Sequence, residues 1–127
     1  EEGPEDAELL GLLGGLRSRY AAQMDKFQLH KGLEETFKVI QRANKYIDET
    51  APWALAKDEA NKARLASVMY NLLEAVRICT ILLTPVIPES CEKIFAQIGA
   101  AAEVQTWDSA ESFGKLLLSY IVLPAEF

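Results

Sequence analysis

The stretch Ala43–Trp53, ANKYIDETAPW, decides how this chain folds around its centre. A proline has no backbone N–H to donate, so Pro52 belongs in the first turn of a new helix and not inside the preceding one. Thr50 is then the predicted N-cap. Trp53 lies in the first turn, where its side chain can project into solvent or into a cleft between helices. The same residues leave a second interpretation open, in which Trp53 is a buried core tryptophan.

A helix is predicted on the N-terminal side of this joint, from about residue 29 to about residue 48. Apolar residues recur there at steps of three and four, which places them on one helix face. We expect this face to be buried against a long helix that contains Leu72 and Val76. Asn44 interrupts the stripe and is expected to be buried, structural and hydrogen-bonded to a neighbour. The stripe consists of Leu33, Phe37, Ile40, Asn44 and Ile47.

Four basic residues follow the other side of the same helix. At about 100° per residue, they fall within about one sixth of a turn of each other. They form a basic ridge suited to a nucleic acid, although acidic residues lie near enough to neutralise part of it. An ordinary solvated helix face accounts for the same pattern. The ridge consists of Lys31, Lys38, Arg42 and Lys45.

Helical periodicity extends over nearly the whole chain, and no long stretch shows the alternation of a half-buried strand. Further helices are predicted at about residues 7–27 and 61–83. Another helix is predicted to start near Trp53, and a further one is predicted to end at Gly99, since glycine commonly terminates helices. The predicted fold is all-α, a bundle of about five helices in one domain spanning residues 1–127. Trp107 is expected to be buried where it packs a C-terminal strap. The conformation of residues 116–127, strand-like or helical, stays undecided.

Composition narrows the class of protein. The chain has 127 residues, of which 50% are hydrophobic, so we expect one folded domain and not disorder. The cysteines, Cys79 and Cys91, are expected to be reduced and buried. With His30 as the only histidine, no zinc site is predicted. The acidic N-terminus carries no targeting signal and no apolar run reaches the length of a membrane span, which predicts a cytoplasmic protein without membrane contact.

The net charge of −6 argues against a wide phosphate-binding surface. A domain that holds nucleic acid mainly through phosphates is usually basic, so nucleic-acid binding here requires a locally basic surface and contacts with bases. Catalysis is not predicted, because the sequence contains no nucleotide-binding motif, no nucleophile elbow and no Cys–His nucleophile pair. Adjacent carboxylates such as Asp48 and Glu49 diverge by about 100° on a helix and do not form an acid–base pair.

Two motifs resemble those of the methionyl-tRNA synthetases. Residues 43–53 are similar to the family pattern A-N-[KR]-Y-[IV]-D-E-x-x-P-W. Residues 82–88, LLTPVIP, followed by Ile98 and Gly99, resemble an element common to the helical anticodon-binding domains of class I synthetases. The likeness extends over most of residues 7–113. It implies the helical anticodon-binding domain of a methionine–tRNA ligase, an enzyme of ATP-dependent aminoacylation.

The resemblance also implies roles for three residues. Trp53 would stack on the first base of the CAU anticodon, Pro52 would fix how the indole is presented, and Asp48 would belong to the same pocket. Loop bases of RNA are commonly recognised in this way, splayed out and stacked on aromatic side chains. The implied partners are the anticodon loop of tRNA(Met) and the enzyme's own catalytic domain.

The family likeness further implies that the chain is one part of a larger enzyme. The family uses an Asn and an Arg, four residues apart, on a helix that precedes the first helix of this chain, and residues 1–27 contain no match to them. That helix and the catalytic domain, which binds ATP, are expected outside the chain, which itself carries no catalytic residue and no cofactor. Two alternatives stay open: the corresponding domain of another class I synthetase, and a helical protein-interaction module without an RNA role.

Overall fold

The computed structural model describes residues 3–116, and the regular structure within them is helical throughout, which confirms the predicted all-α class. The N-terminal part forms two helices, α1 (Pro4–Leu13) and α2 (Leu16–Asp25), where the sequence predicted one. Gly14 and Gly15 separate them. The break follows from the cost of glycine in a helix interior, up to about 1 kcal/mol relative to alanine.

Two long helices form the centre of the bundle. They are α3 (Leu29–Thr50) and α5 (Lys62–Leu83), each of 22 residues. Between them lie the one-turn helix α4 (Pro52–Leu55) and a 3-10 turn (Glu59–Asn61). The predicted interruption after Trp53 is therefore present, and the chain reverses its direction within it.

The two long helices run antiparallel. Near the C-terminal end of α3, the Tyr46 hydroxyl accepts a hydrogen bond from the amide of Asn71 in the first half of α5. At the other end, Gly32 lies against Tyr20 of α2, where an added Cβ would stand 3.6 Å from the ring. The Tyr20 hydroxyl donates to the carbonyl oxygen of Leu82, in the last turn of α5. Trp53 therefore lies at the opposite end of the bundle from the α2–α3 connection.

The predicted apolar stripe of α3 does not face the core. Phe37 is 49% exposed, and Asn44 is exposed and not buried as expected. Ile40 and Ile47 do meet Leu72 and Val76 of α5, as predicted, but they line a shallow apolar groove of about 160 Å³ and are only half-buried. The buried face of α3 lies about a third of a turn away and consists of Gly32, Thr36, Val39, Arg42, Tyr46 and Thr50.

Polar residues occupy the buried face of α3 because each finds a partner. The Thr36 hydroxyl donates to the carbonyl oxygen of Gly32 at 3.3 Å. The guanidinium of Arg42, only 7% exposed, donates to Glu49 at 2.7 Å and to Glu8 of α1 at 3.0 Å. Arg42 is therefore buried in ion pairs, and the predicted basic ridge is reduced to its three lysines. A buried charge is tolerated only when it is paired in this way.

Helix α5 is the central helix of the bundle. With the preceding turn it spans 25 residues and is long and apolar enough to cross a membrane, but 61% of its most apolar window is buried inside the protein. That burial is typical of the core helix of a soluble bundle. Both cysteines are free and buried, as predicted, and burial raises the pKa of the Cys79 thiol to about 12.

Helix α6 (Pro88–Ile98) ends at Gly99, whose φ of 70° lies in the left-handed region that glycine adopts readily. This helix end was predicted correctly. The chain then forms short 3-10 turns, Ala102–Val104 and Asp108–Glu111, and Leu116 is buried. Residues 117–127, most of the segment whose conformation the sequence left undecided, lie outside the described residues.

A buried ion pair anchors this C-terminal segment to α5. Glu74 and Arg77 are both 0% exposed, and the Arg77 Nε donates to Glu74 at 2.6 Å. Arg77 also donates to the carbonyl oxygens of Val104, Ser109 and Ser112, at 3.0, 3.3 and 2.9 Å. Glu74 in turn accepts the backbone N–H groups of Gly114 and Lys115. The pair therefore replaces the backbone hydrogen bonds that this irregular segment cannot make with itself.

Trp107 lies on the same segment but is not the buried tryptophan that the sequence predicted. It is 44% exposed. Its ring lies 6.0 Å from that of Tyr20, and the guanidinium of Arg17 stands 5.2 Å from the indole centroid. Trp107 thus attaches the segment to α2 through its ring, although nearly half of its surface meets solvent.

Candidate functional site

The joint between α3 and α4 is a sharp turn centred on a non-glycine residue. Ala51 has φ 45° and ψ 64°, a left-handed conformation that costs alanine about 1–2 kcal/mol. Its N–H donates to the carbonyl oxygen of Ile47 at 2.9 Å, which closes α3. Pro52 follows as the first residue of α4, as predicted, and is buried. Thr50 is not the N-cap: it is the last residue of α3, and its hydroxyl donates back to the Tyr46 carbonyl oxygen at 2.8 Å.

A buried polar network holds the last turns of α3 in place. The hydroxyl of Tyr46, a residue with 0% exposure, donates to Asp6 of α1 at 2.5 Å. Arg64 of α5 donates to both carboxylate oxygens of Asp6, at 2.6 and 3.0 Å, and to Glu5 at 2.7 Å. With the bond from Asn71 to Tyr46, the network joins three helices directly beneath the joint. The orientation of α4 is therefore set by packed and hydrogen-bonded groups.

Burial and the hydrogen bonds in this network shift the pKa values of Asp6, Tyr46 and Arg64. Burial works to raise the pKa of Asp6, but hydrogen bonds from Arg64, Tyr46 and the Gly3 N–H outweigh it, so that the pKa lies below its usual value. Burial, together with the hydrogen bond to Asp6, raises the pKa of Tyr46 to about 12. The hydrogen bonds to Asp6 raise the pKa of Arg64 further above its usual range. The network therefore contains an ionised Asp6 and a neutral Tyr46 at neutral pH.

The three residues assigned to the site by resemblance lie around this joint. Trp53 is 53% exposed, which rejects the alternative of a buried core tryptophan. Pro52 is buried directly before it, and Asp48 is exposed in the last turn of α3. Within residues 3–116, the indole of Trp53 makes no hydrogen bond or ring contact, and Asp48 forms no ion pair. The joint therefore presents a flat apolar surface and a carboxylate to solvent at one end of the bundle.

The supporting residues were missed from the sequence. Tyr46, Asp6 and Arg64 are 18 to 58 positions apart along the chain, so nothing in the spacing connects them. The spacing within the motif held a weak signal. Tyr46 and Thr50 are one helical turn apart and share one face of the helix, and Asn44 and Asp48 share another face for the same reason. The motif residues at 46, 50 and 52 are buried and those at 44, 48 and 53 are exposed. The motif thus combines structural residues with residues available to a ligand.

The chain is similar in sequence to known proteins. Residues 1–119 match the sequence family described as the anticodon binding domain of methionyl tRNA ligase. The methionine–tRNA ligase of Caldanaerobacter subterraneus subsp. tengcongensis is 43% identical over 111 residues, covering 87% of this chain and 17% of that protein. That of Bacillus subtilis strain 168 is 45% identical over 98 residues, covering 76% of this chain and 15% of that protein. The chain thus spans less than a fifth of the length of these relatives.

Solved structures share the fold. The free form of methionyl-tRNA synthetase from Mycobacterium tuberculosis superposes with a TM-score of 0.81 at 35% identity, covering 87% of this chain and 23% of that one. The complex of the same protein with methionyl-adenylate gives a TM-score of 0.82 at 35% identity, with 87% and 22% coverage. Family match, sequence identity and structural likeness agree over the same part of the chain. This chain therefore belongs to the family of anticodon-binding domains of methionyl tRNA ligases.

Proposed function

We propose that the chain reads the CAU anticodon of tRNA(Met) by stacking the indole of Trp53 on the first anticodon base. The observation that carries the proposal is the 53% exposure of Trp53 on a joint that is held by the buried, hydrogen-bonded residues Tyr46, Asp6 and Arg64. An exposed aromatic on a mobile loop loses conformational freedom when it stacks. An exposed aromatic on a fixed joint avoids much of that cost, which is the advantage of preorganisation.

Pro52 and Asp48 have different roles in this proposal. Pro52 is buried and sets the direction in which Trp53 projects, so it acts on the RNA only through its neighbour. Asp48 is exposed, and its carboxylate accepts hydrogen bonds from the amino group of a base such as cytosine. On the edge where cytosine presents its N4 amino group, guanine presents only the acceptors O6 and N7, which a carboxylate cannot bind. Stacking on Trp53 holds the base with its edge toward Asp48, so both residues contribute to the choice of base.

The wider protein is proposed from the relatives. It joins methionine to tRNA(Met) with ATP in the cytoplasm, and the catalytic domain, where ATP binds, contacts this bundle. The chain itself contributes recognition and no catalytic group or cofactor. Such a division is common, because sites for function are carried on folds that do not themselves determine the chemistry.

The proposal is tested by binding of RNA stem-loops to the 127-residue chain at low ionic strength. One stem-loop carries CAU in its loop and the other carries GAU. We expect the unaltered chain to prefer CAU, and Trp53→Ala to reduce that preference about ten- to a hundredfold, since stacking one base on an aromatic contributes about 1–3 kcal/mol.

Trp107→Ala is the matched control, because it removes the same side chain at a similar exposure, 44%, on another part of the surface. It should leave the preference for CAU unchanged. Equal preferences for CAU in the unaltered chain and in Trp53→Ala would contradict the site. Binding of neither stem-loop by the unaltered chain would contradict the function as well.

A further inference from the structure

We propose that Lys57 and Lys62 form a binding site for a phosphate of the RNA backbone, next to the nucleotide that stacks on Trp53. The site rests on the proposed function, because it needs an RNA at the joint. Neither lysine belongs to the residues that the sequence motif singles out. The ligand is a phosphodiester of single-stranded RNA.

The two lysines line one open cavity of about 310 Å³. Leu55 and Leu65 form its apolar part, and the chain between α4 and α5 forms its rim. Both lysines are exposed, so their ammonium groups reach the opening on flexible stems. The cavity begins two residues after Trp53, which places it beside the joint at the same end of the bundle.

The backbone connects Trp53 to Lys57 by continuous hydrogen-bonded turns. The N–H of Ala56 donates to the Pro52 carbonyl oxygen at 3.0 Å, and the N–H of Lys57 donates to that of Ala54 at 3.3 Å. Residues four apart in a helical turn lie on the same side of it. Lys57 therefore follows Trp53 by about one turn on the same side of the chain.

The lysines of the cavity differ from the arginines of the chain in how they are paired. All five arginines, at positions 17, 19, 42, 64 and 77, form ion pairs with carboxylates and are committed to the fold. Among residues 3–116, Lys57 and Lys62 form no ion pair. The carboxylate of the neighbouring Asp58 accepts a hydrogen bond from the backbone N–H of Ala60 at 3.0 Å. These lysines remain available to an anion although the net charge of the chain is −6.

Glu59 is the remaining acidic residue at the cavity. Its replacement should change RNA affinity in the opposite direction from replacement of the lysines. Its carboxylate is exposed and repels a phosphate held between the lysines. Removal of this charge should therefore tighten RNA binding, whereas removal of either lysine charge should weaken it. A side chain that only maintained the fold would not produce opposite effects at one cavity.

The experiment measures the dissociation constants of the CAU and GAU stem-loops for the 127-residue chain over a series of salt concentrations. The variant Lys57→Gln/Lys62→Gln is compared with Lys26→Gln/Lys93→Gln, which removes two exposed lysines away from the cavity. Each phosphate contact contributes about 0.7–0.9 to the slope of log affinity against log salt. Because the two lysines hold one phosphate of a single strand, we expect the slope of the cavity variant to be about 0.7 units shallower and its affinity for both stem-loops to fall by the same factor.

The control pair should change the slope by less than half as much, and Glu59→Gln should bind both stem-loops more tightly. Trp53→Ala separates this site from the base-reading site, because it should lower the preference for CAU and leave the salt slope unchanged. An equal change of slope in the cavity and control variants, or weaker binding by Glu59→Gln, would overturn the phosphate site while the proposed function stands. Absence of RNA binding by the unaltered chain would overturn both.

Discussion

Trp53 and Trp107 expose similar fractions of their surfaces, 53% and 44%, and both lie on segments outside the long helices. The segments are held differently. The joint around Trp53 is held by Tyr46, Asp6 and Arg64, and within residues 3–116 its indole makes no hydrogen bond or ring contact. The segment around Trp107 is held by the Glu74–Arg77 pair and by the indole itself. Exposure alone therefore does not distinguish a side chain free for a ligand from one used in packing; the contacts distinguish them.

The largest effect is expected from breaking the ion pair beneath the Trp107 segment. Arg77→Met leaves Glu74 buried without its partner and removes the donors to Val104, Ser109 and Ser112. We expect the free energy of unfolding in urea to fall by about 3–5 kcal/mol, the usual range for an uncompensated buried charge. Lys38→Met removes an exposed ion pair to Glu35 and should cost less than about 1 kcal/mol. Similar losses in the two variants would show that the buried pair does not anchor the segment.

The network beneath Trp53 should make the free energy of unfolding depend on pH in the acidic range. The pKa of Asp6 in the folded chain lies below its unfolded value of about 3.9, so its ionised form stabilises the fold above about pH 4. This contribution is lost as the pH falls through the folded-state pKa. Asp6→Asn should lower the free energy of unfolding at neutral pH by about 3 kcal/mol, near the low end for a broken buried pair, because Arg64 keeps Glu5 as a partner.

The same variant should also flatten the dependence of stability on pH below about pH 4. Urea unfolding at several pH values measures both effects, with Asp25→Asn, at an exposed position, as the control. If the unaltered chain and Asp6→Asn lose stability in parallel on acidification, Asp6 does not carry this dependence.

Replacing each tryptophan by alanine should have a smaller effect on stability, and this effect should differ between the two positions. Trp107→Ala removes the ring contact with Tyr20 and the contact with the Arg17 guanidinium, which together should cost about 1–2 kcal/mol. This is less than a fully buried tryptophan would cost, because nearly half of the side chain already meets solvent. Trp53→Ala should change stability by no more than about 0.5 kcal/mol. Thermal melting of both variants measures the difference, and a lower melting temperature for Trp53→Ala than for Trp107→Ala would reverse the assignment.

A further modest effect is expected at Phe37, on the half-exposed face of α3. Phe37→Ala should cost only about 1 kcal/mol, because the side chain is 49% exposed and alanine favours the helix. Leu16→Ala, at a position with 0% exposure, should cost about 2–5 kcal/mol although leucine is the smaller side chain. Urea unfolding compares the two. A larger loss for Phe37→Ala would place Phe37 in the core after all.

The prediction of the α3 face was wrong for a physical reason. An amphipathic stripe indicates which side of a helix avoids water, and Phe37, Ile40 and Ile47 form the more apolar side. The side that α1 and α2 cover contains Thr36, Arg42 and Thr50 instead. The two threonines donate to carbonyl oxygens of their own helix, and Arg42 can be buried because Glu8 of α1 pairs with it in addition to Glu49. Periodicity of a single helix carries no information about such partners.

The sequence by itself determined the all-α class, the break at Pro52, the helix end at Gly99 and the motif that identified the family. These follow from local chemistry: the spacing of apolar residues, the missing N–H of proline and the freedom of glycine at positive φ. Only the tertiary structure decided which motif residues are buried and which are exposed, that Trp107 lies half in solvent, and that the arginines are paired while Lys57 and Lys62 are not. Burial and pairing depend on groups that folding brings together from distant positions, such as Asp6 and Arg64, which are 58 residues apart. A local sequence pattern contains no information about such contacts.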